Sequence, residues 1–182
     1  MSPPAQSQSE IFDVVDSSDV VIGTATRGDV HREKLFHRAV HIFIFNAQGQ
    51  TFLQRRSLEK DSAPGKWGGA CSGHVDSGEG YVAAARREIV EEIGVEAPAL
   101  LEPMLRETPR KETGFEFVWV YRAQYEGPFD LNEDEIMDGQ WIDIDALDKW
   151  MANSPRDFSW SFAHLWRRYR AEVDGVKIRA SA

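Results

Sequence analysis

Between Gly73 and Val95 the chain reads GHVDSGEGYVAAARREIVEEIGV, a glycine-containing loop that feeds a helix from about Glu79 to Ile93 and stops at Gly94. At about 100° per residue, Val82, Ala85, Ile89 and Ile93 form an apolar stripe, and Glu88, Glu91 and Glu92 fall in the sector beside it. The helix must therefore lay its stripe on a core while keeping three like charges at the border of that core. Carboxylates three and four residues apart repel, so they are solvated or gathered around a cation, and a solvated face is the ordinary outcome for a helix taken alone. If they hold a cation, oxygen-only ligands select a hard ion, Mg²⁺ or Mn²⁺.

The rest of the chain supplies the core. At 182 residues, with 42% hydrophobic positions including six Trp and ten Phe, it suits one folded domain, expected over 11–182 after a mobile Ser-, Pro- and Gln-rich tail over 1–10. IFDVVD and VVIGTA around a polar SSD predict strand, turn and strand, and HRAVHIFIFNAQGQTFLQRR repeats that pattern with its turn at Ala47 to Gly49. Further strands are expected at Trp67 to Gly73, Ala99 to Glu107 and Phe115 to Tyr125. A second long helix spans about Trp160 to Val173, with Phe162, Leu165, Trp166, Tyr169 and Val173 on one face, and a shorter one covers Ala146 to Ala152 with Asp145 as N-cap. The expected class is α+β, a mixed and mostly antiparallel sheet with helices packed around it.

The net charge of −9 argues against duplex nucleic acid as a partner, although a local Arg and Lys cluster could hold a small polyphosphate. A single cysteine excludes an intrachain disulfide. The first ten residues carry neither a basic nor an apolar signal region, and the longest apolar runs have strand length, so membrane spanning and secretion are not expected and a cytoplasmic protein is.

The loop and helix together match G-x5-E-x7-R-E-U-x-E-E-x-G-U, where U is aliphatic, at Gly73, Glu79, Arg87, Glu88, Ile89, Glu91, Glu92, Gly94 and Val95. From average residue usage such a match arises by chance with probability of order 10⁻⁷ or less. This is the Nudix box, and the chain resembles the Nudix hydrolase superfamily. The resemblance implies an α/β/α sandwich and hydrolysis of a nucleoside diphosphate linked to another moiety, with Mg²⁺ or Mn²⁺ as cofactor. It implies Glu88, Glu91 and Glu92 as metal ligands, one of them acting as base on the attacking water, and Arg87 as the residue that orients them by salt bridges. Glu79 adds a ligand or a structural contact, and Glu135 or Glu116 supplies the downstream glutamate that many such enzymes use as base or extra ligand.

The resemblance extends to a branch that includes the type I isopentenyl-diphosphate isomerases and bacterial hydrolases similar to them. It is carried by Gly23-Thr24, His37, Asn46-Ala47, Gln54-Arg55-Arg56 with Lys60, Pro64-Gly65 with Trp67, Gly73-His74, Asp134 to Asp138, and Gln140-Trp141. By that likeness Arg56 and Lys60 bind the substrate diphosphate, and His37, His74 and Glu116, with His31 nearby, offer a second metal site; Arg55 belongs to the same basic cluster, Trp67 could stack on a base or cover an allylic group, and Gly73 is expected to border the substrate. Three departures weigh against the isomerase. Ser72 stands where its cysteine is expected, with Cys71 one residue earlier; Gly114 stands where a glutamate ligand is expected; and the isomerases carry a degenerate box, whereas this one is complete. The expected partner is a small-molecule diphosphate hydrolysed by metal-activated water. The alternatives are isopentenyl-diphosphate isomerisation and a non-catalytic nucleotide-binding domain, and the oligomeric state is left open, a homodimer included.

Overall fold

The structure, a computed structural model, describes residues 7–96 and 101–180. The chain begins with β1 (Ile11–Val15) and β2 (Val21–Thr26), an antiparallel two-stranded sheet, and continues into a short helix α1 (Arg27–Glu33). The other strands are β3 (His37–Phe45), β4 (Gln50–Arg56), β5 (Trp67–Gly68), β6 (Cys71–His74), β7 (Glu102–Glu107), β8 (Glu116–Gln124) and β9 (Ile136–Asp143). They form a seven-stranded sheet ordered β5-β4-β3-β8-β7, with β6 also paired to β3 and β9 to β4. Only β3 and β8 run parallel among these named pairs, so the sheet is mixed and mostly antiparallel, as expected. Three longer helices cover it: α2 (Tyr81–Ile93), α3 (Ile144–Asn153) and α4 (Trp160–Ala180).

Strand β3 organises the layers because both of its faces are buried. Val40, Ile42 and Ile44 point toward α2, where they meet Ala84, Ala85, Ile89 and Ile93. Ala39, Phe43 and Phe45 point the other way, toward Leu147 of α3 and Phe162, Leu165, Trp166 and Tyr169 of α4. Near-continuous apolar sequence is what a central strand covered on both sides requires. The face expected for the last helix is thus the one that packs on the sheet.

Several expectations shift. The turn at Ala47 to Gly49 is present, but β3 and β4 share only the Phe45–Thr51 pair before β4 diverges to pair with β9. The strand expected over Trp67 to Gly73 is split in two around Gly69 and Ala70. α2 starts at Tyr81 rather than Glu79, and Val82 is exposed because the first turn lies beyond the core, leaving Ala84 and Ala85 to make the close approach. α3 starts at Ile144 with Asp143 as N-cap, placing Asp145 in the first turn. Positions 99 and 100 of the expected strand lie outside the described residues, as do positions 1–6 of the expected tail. Ser7 to Glu10 are held by backbone bonds, with Gly28 N–H donating to the Gln8 carbonyl and Arg27 N–H to that of Glu10. No helix among the described residues is long and apolar enough to cross a membrane.

Candidate active site

The end of α2 is fixed from two sides. Gly94 adopts φ +66°, and a Cβ there would lie 2.6 Å from Asp130 Cβ, so glycine is needed for both the turn and the contact. The segment after β8 then bonds to the helix end, Asp130 N–H to the Ile93 carbonyl at 3.1 Å and Asn132 N–H to that of Glu92 at 2.9 Å. This brings Glu135 beside the helix acids.

Of the box carboxylates, Glu88 and Glu92 are buried, Glu92 with 3% of its surface exposed, while the side chain of Glu91 is 56% exposed. Glu92 Oε2 accepts from Gln54 Nε2 at 2.8 Å and from Ser72 N–H at 3.2 Å. Glu88 packs against Gly73, where a Cβ would stand 2.0 Å from Glu88 Oε1; only glycine leaves room for that carboxylate. Arg87 gathers the rest, donating to Glu79 at 2.9 and 3.1 Å, to Glu88 at 2.7 Å, to Glu91 at 3.1 Å and to the His74 carbonyl at 2.9 Å. Burial works against its charge, but the bonds to Glu79 and the adjacent Glu88 hold its pKa above the ordinary value. Glu79 is therefore a partner of Arg87 in this arrangement.

Burial, reinforced by Glu92, pushes the Glu88 carboxyl up to about 8. A carboxyl raised on folding gives stability that is fully present below its unfolded value near 4.5 and is lost as pH rises through its folded value. In chelator, the thermal midpoint of the wild type should therefore fall relative to that of Glu88→Gln between pH of about 4.5 and about 8. A constant difference across that window would contradict the raised pKa.

Across β6 from these acids lies a cavity of about 420 Å³, lined by Arg27, His31, His41, Gln54, Arg56, Ser72, Gly73, His74, Glu116, Ser159 and the start of α4 at Trp160 to Phe162, among others. Register explains which residues reach it. Ser72 pairs with His41 and Cys71 with Ile42, so Ser72 joins His41 at the cavity while Cys71, 0% exposed, packs in the core beside α2. Burial also raises the thiol's pKa well above its usual value.

Of the residues expected at the substrate or at a second metal, Arg56, Gly73, His74 and Glu116 line the cavity, and His37 is buried behind it, 3.3 Å from Glu116. The structure moves three others away. Trp67 packs its ring on Trp150, Arg55 Nε donates to the Gly65 carbonyl, and Lys60 is buried between Glu92 and Glu135. Glu135 lies in the turn that leads into β9, where it is buried and pairs with Lys60. Arg27 was missed. It is 5% exposed, lines the cavity, and reaches His74 Nδ1 with Nη1 at 3.1 Å. Its signal was the Thr26-x-x-Asp29 cap that starts α1, in which Thr26 accepts from Asp29 N–H.

The histidines offer potential ligand atoms within 4.8 Å of one another, at His31, His37 and His74. Glu116 lies between two of them, 3.1 Å from His74 Nε2 and 3.3 Å from His37 Nε2. Burial alone would raise the Glu116 pKa, yet the hydrogen bonds from His37 and His74 hold it well below the usual range, and burial drives His74 down to about 4. Because Arg27 only donates, His74 Nδ1 must accept, so Nε2 carries the hydrogen that binds Glu116. In that tautomer His74 is a hydrogen-bond donor and not a metal ligand. His37 differs: Nδ1 faces the Leu35 carbonyl at 2.9 Å, which leaves Nε2, 3.3 Å from Glu116, as the atom that could ligate a cation. The cluster thus fits a metal at His37 and not at His74, whereas the carboxylate set beside Gly73 fits a hard divalent ion.

A family model for the NUDIX domain matches residues 35–161. The chain belongs to the Nudix family. An isopentenyl-diphosphate Delta-isomerase of Burkholderia multivorans is 33% identical over 91% of this chain and 93% of its own. A Yersinia pestis protein named as an uncharacterized Nudix hydrolase is 34% identical over 93% and 92%. In fold, the Nudix chain is similar to the crystal structure of DR0079 from Deinococcus radiodurans, with a TM-score of 0.77 and 31% identity over 87% of this chain and 98% of that one.

Proposed function

We propose that this Nudix chain is a Mg²⁺- or Mn²⁺-dependent hydrolase that cleaves a phosphoanhydride bond in a nucleoside diphosphate derivative or a related small diphosphate. The observation that carries the reading is the pair of buried carboxylates, Glu88 against Gly73 and Glu92 bonded to Gln54 and the Ser72 amide, directly behind residues that line a cavity shared with two guanidinium groups, Arg27 and Arg56. Glu88 and Glu92 would hold a divalent ion there, which would supply neutralisation of phosphate charge and activation of water. Gln54 and the Ser72 amide hold Glu92 in place, and Arg87 holds Glu88. Arg56 and Arg27 bind phosphate oxygens from the cavity side. Glu91, exposed and held by Arg87, is the member of the set able to exchange a proton with solvent-derived water.

Relatives named as isomerases favour a second reading, isomerisation of a prenyl diphosphate. Its proton transfer calls for an acidic thiol in the cavity, and here a serine hydroxyl faces it while the thiol lies in the core. Release of phosphate and mononucleotide should be assayed over a panel of nucleoside diphosphate derivatives and prenyl diphosphates, with Mg²⁺, Mn²⁺ or chelator. Metal-dependent release from at least one member is expected. No release from any, together with an isomerised prenyl product, would overturn the hydrolase.

A further inference from the structure

The carboxylates of the site are divided between two cations. Arg87 serves Glu79, Glu88 and Glu91. The other side belongs to Lys60, which is 6% exposed and whose ammonium pairs with Glu135 and lies 3.7 Å from Glu92 Oε1. Resemblance assigned Lys60 to the substrate, yet it is absent from the cavity lining. The loop that carries it is tied to the same acids through the backbone: Ser57 N–H donates to the Glu135 carbonyl at 2.8 Å, and Lys60 N–H to the Ser57 carbonyl at 3.3 Å. The residues directly after it, Asp61, Ser62 and Ala63, line the cavity. Among them, Asp61 accepts from Gln8 at 2.6 Å, and the Ser62 carbonyl accepts from Arg56 Nε at 2.9 Å.

A divalent ion on Glu92 and an ammonium on the same carboxylate repel at short range, and a buried side chain has no solvent to screen that repulsion. The two cations therefore compete. We infer that Lys60 is the resident cation of the carboxylate set: it holds Glu92 and Glu135 together in the metal-free protein, and a divalent metal displaces it. Displacement moves the ammonium toward the cavity, because the loop that bears it is already part of the cavity wall and Arg56 there is bonded to that loop. Metal entry then does two things at once. It fills the carboxylate site, and it adds a third positive group to a cavity that already holds Arg27 and Arg56. Lys60 acts here as a positioning residue.

The inference rests on the metal reading of the proposed function, and direct Mn²⁺ binding separates the two. Calorimetric titration of Mn²⁺ into the full chain should show Lys60→Met binding on the order of tenfold more tightly than wild type, ~1.4 kcal/mol, since nothing has to be displaced. Equal or weaker binding by a folded Lys60→Met overturns the displacement while leaving the metal reading intact; absence of binding to either protein overturns both. A second measurement uses only the wild type, in case the variant does not fold. Acylation of Lys60, followed by peptide mass analysis, should be slow in chelator and several-fold faster with saturating Mn²⁺. An unchanged labelling rate would equally overturn the exchange.

Discussion

Replacing Glu92 by glutamine should lower kcat on the order of 10³-fold, about 4 kcal/mol of transition-state stabilisation, while leaving the fold in place. Glutamine keeps the shape of the side chain and retains a carbonyl oxygen for the Ser72 amide, 3.2 Å from the present carboxylate. The Lys60–Glu135 pair also remains. What is lost is a buried anion that a hard cation requires, at a place where no exposed neighbour can substitute for it. Glu91→Gln offers the contrast, because that carboxylate is largely in water. Steady-state rates on the substrate identified by the panel, together with circular dichroism and thermal midpoints, check the expectation. A folded Glu92→Gln that keeps more than about a tenth of the wild-type rate would remove Glu92 from the site.

The second large effect is expected at Arg87. Its five donors are spread over three carboxylates and the His74 carbonyl, so it links α2, the loop before it and β6. Arg87→Ala should cost about 2–4 kcal/mol in stability, since buried Glu88 loses its cation, and should lower kcat by roughly 10²-fold through misplacement of Glu88. Lysine should rescue little of either, because one ammonium cannot span acceptors that a planar guanidinium reaches together. Denaturant unfolding and kcat measured on both variants test this. Full rescue by Arg87→Lys would show that charge alone, without the fork geometry, is what the site needs.

The parts of the fold that were legible are those whose information is local. α2 announces itself through a 3.6-residue repeat and a terminal glycine, and α4 through its aromatic stripe. β3 and β8 are apolar and β-branched enough to admit no other reading. α1 and β9 were missed for a shared reason. The seven residues of α1, RGDVHRE, contain a glycine and five ionisable side chains, and its stability comes from the Thr26 cap and from packing against β1 and β2. β9 reads IMDGQWID, with a glycine and two aspartates, and is a strand because β4 offers it a hydrogen-bonding edge. The site follows the same division. The box fixed the acids by spacing, but the surroundings of Lys60 depend on Glu92 and Glu135 meeting through the segment after β8, and such long-range pairing leaves no periodic trace. Arg27 went unnoticed with the helix that carries it.

The alternation of β6 has a consequence for how such a site can evolve. Its residues serve two compartments in turn: Ser72 and His74 face the cavity, while Cys71 and Gly73 face α2. A one-residue slip of the strand that put the thiol in the place of the hydroxyl would also carry the side chain of Ser72 into the place of Gly73, a space that rejects even a methyl group at 2.0 Å from Glu88 Oε1. The strand is thereby barred from trading hydroxyl for thiol by an insertion or deletion. A lineage moving between the two chemistries must change the residue at position 72 itself, with the register held still.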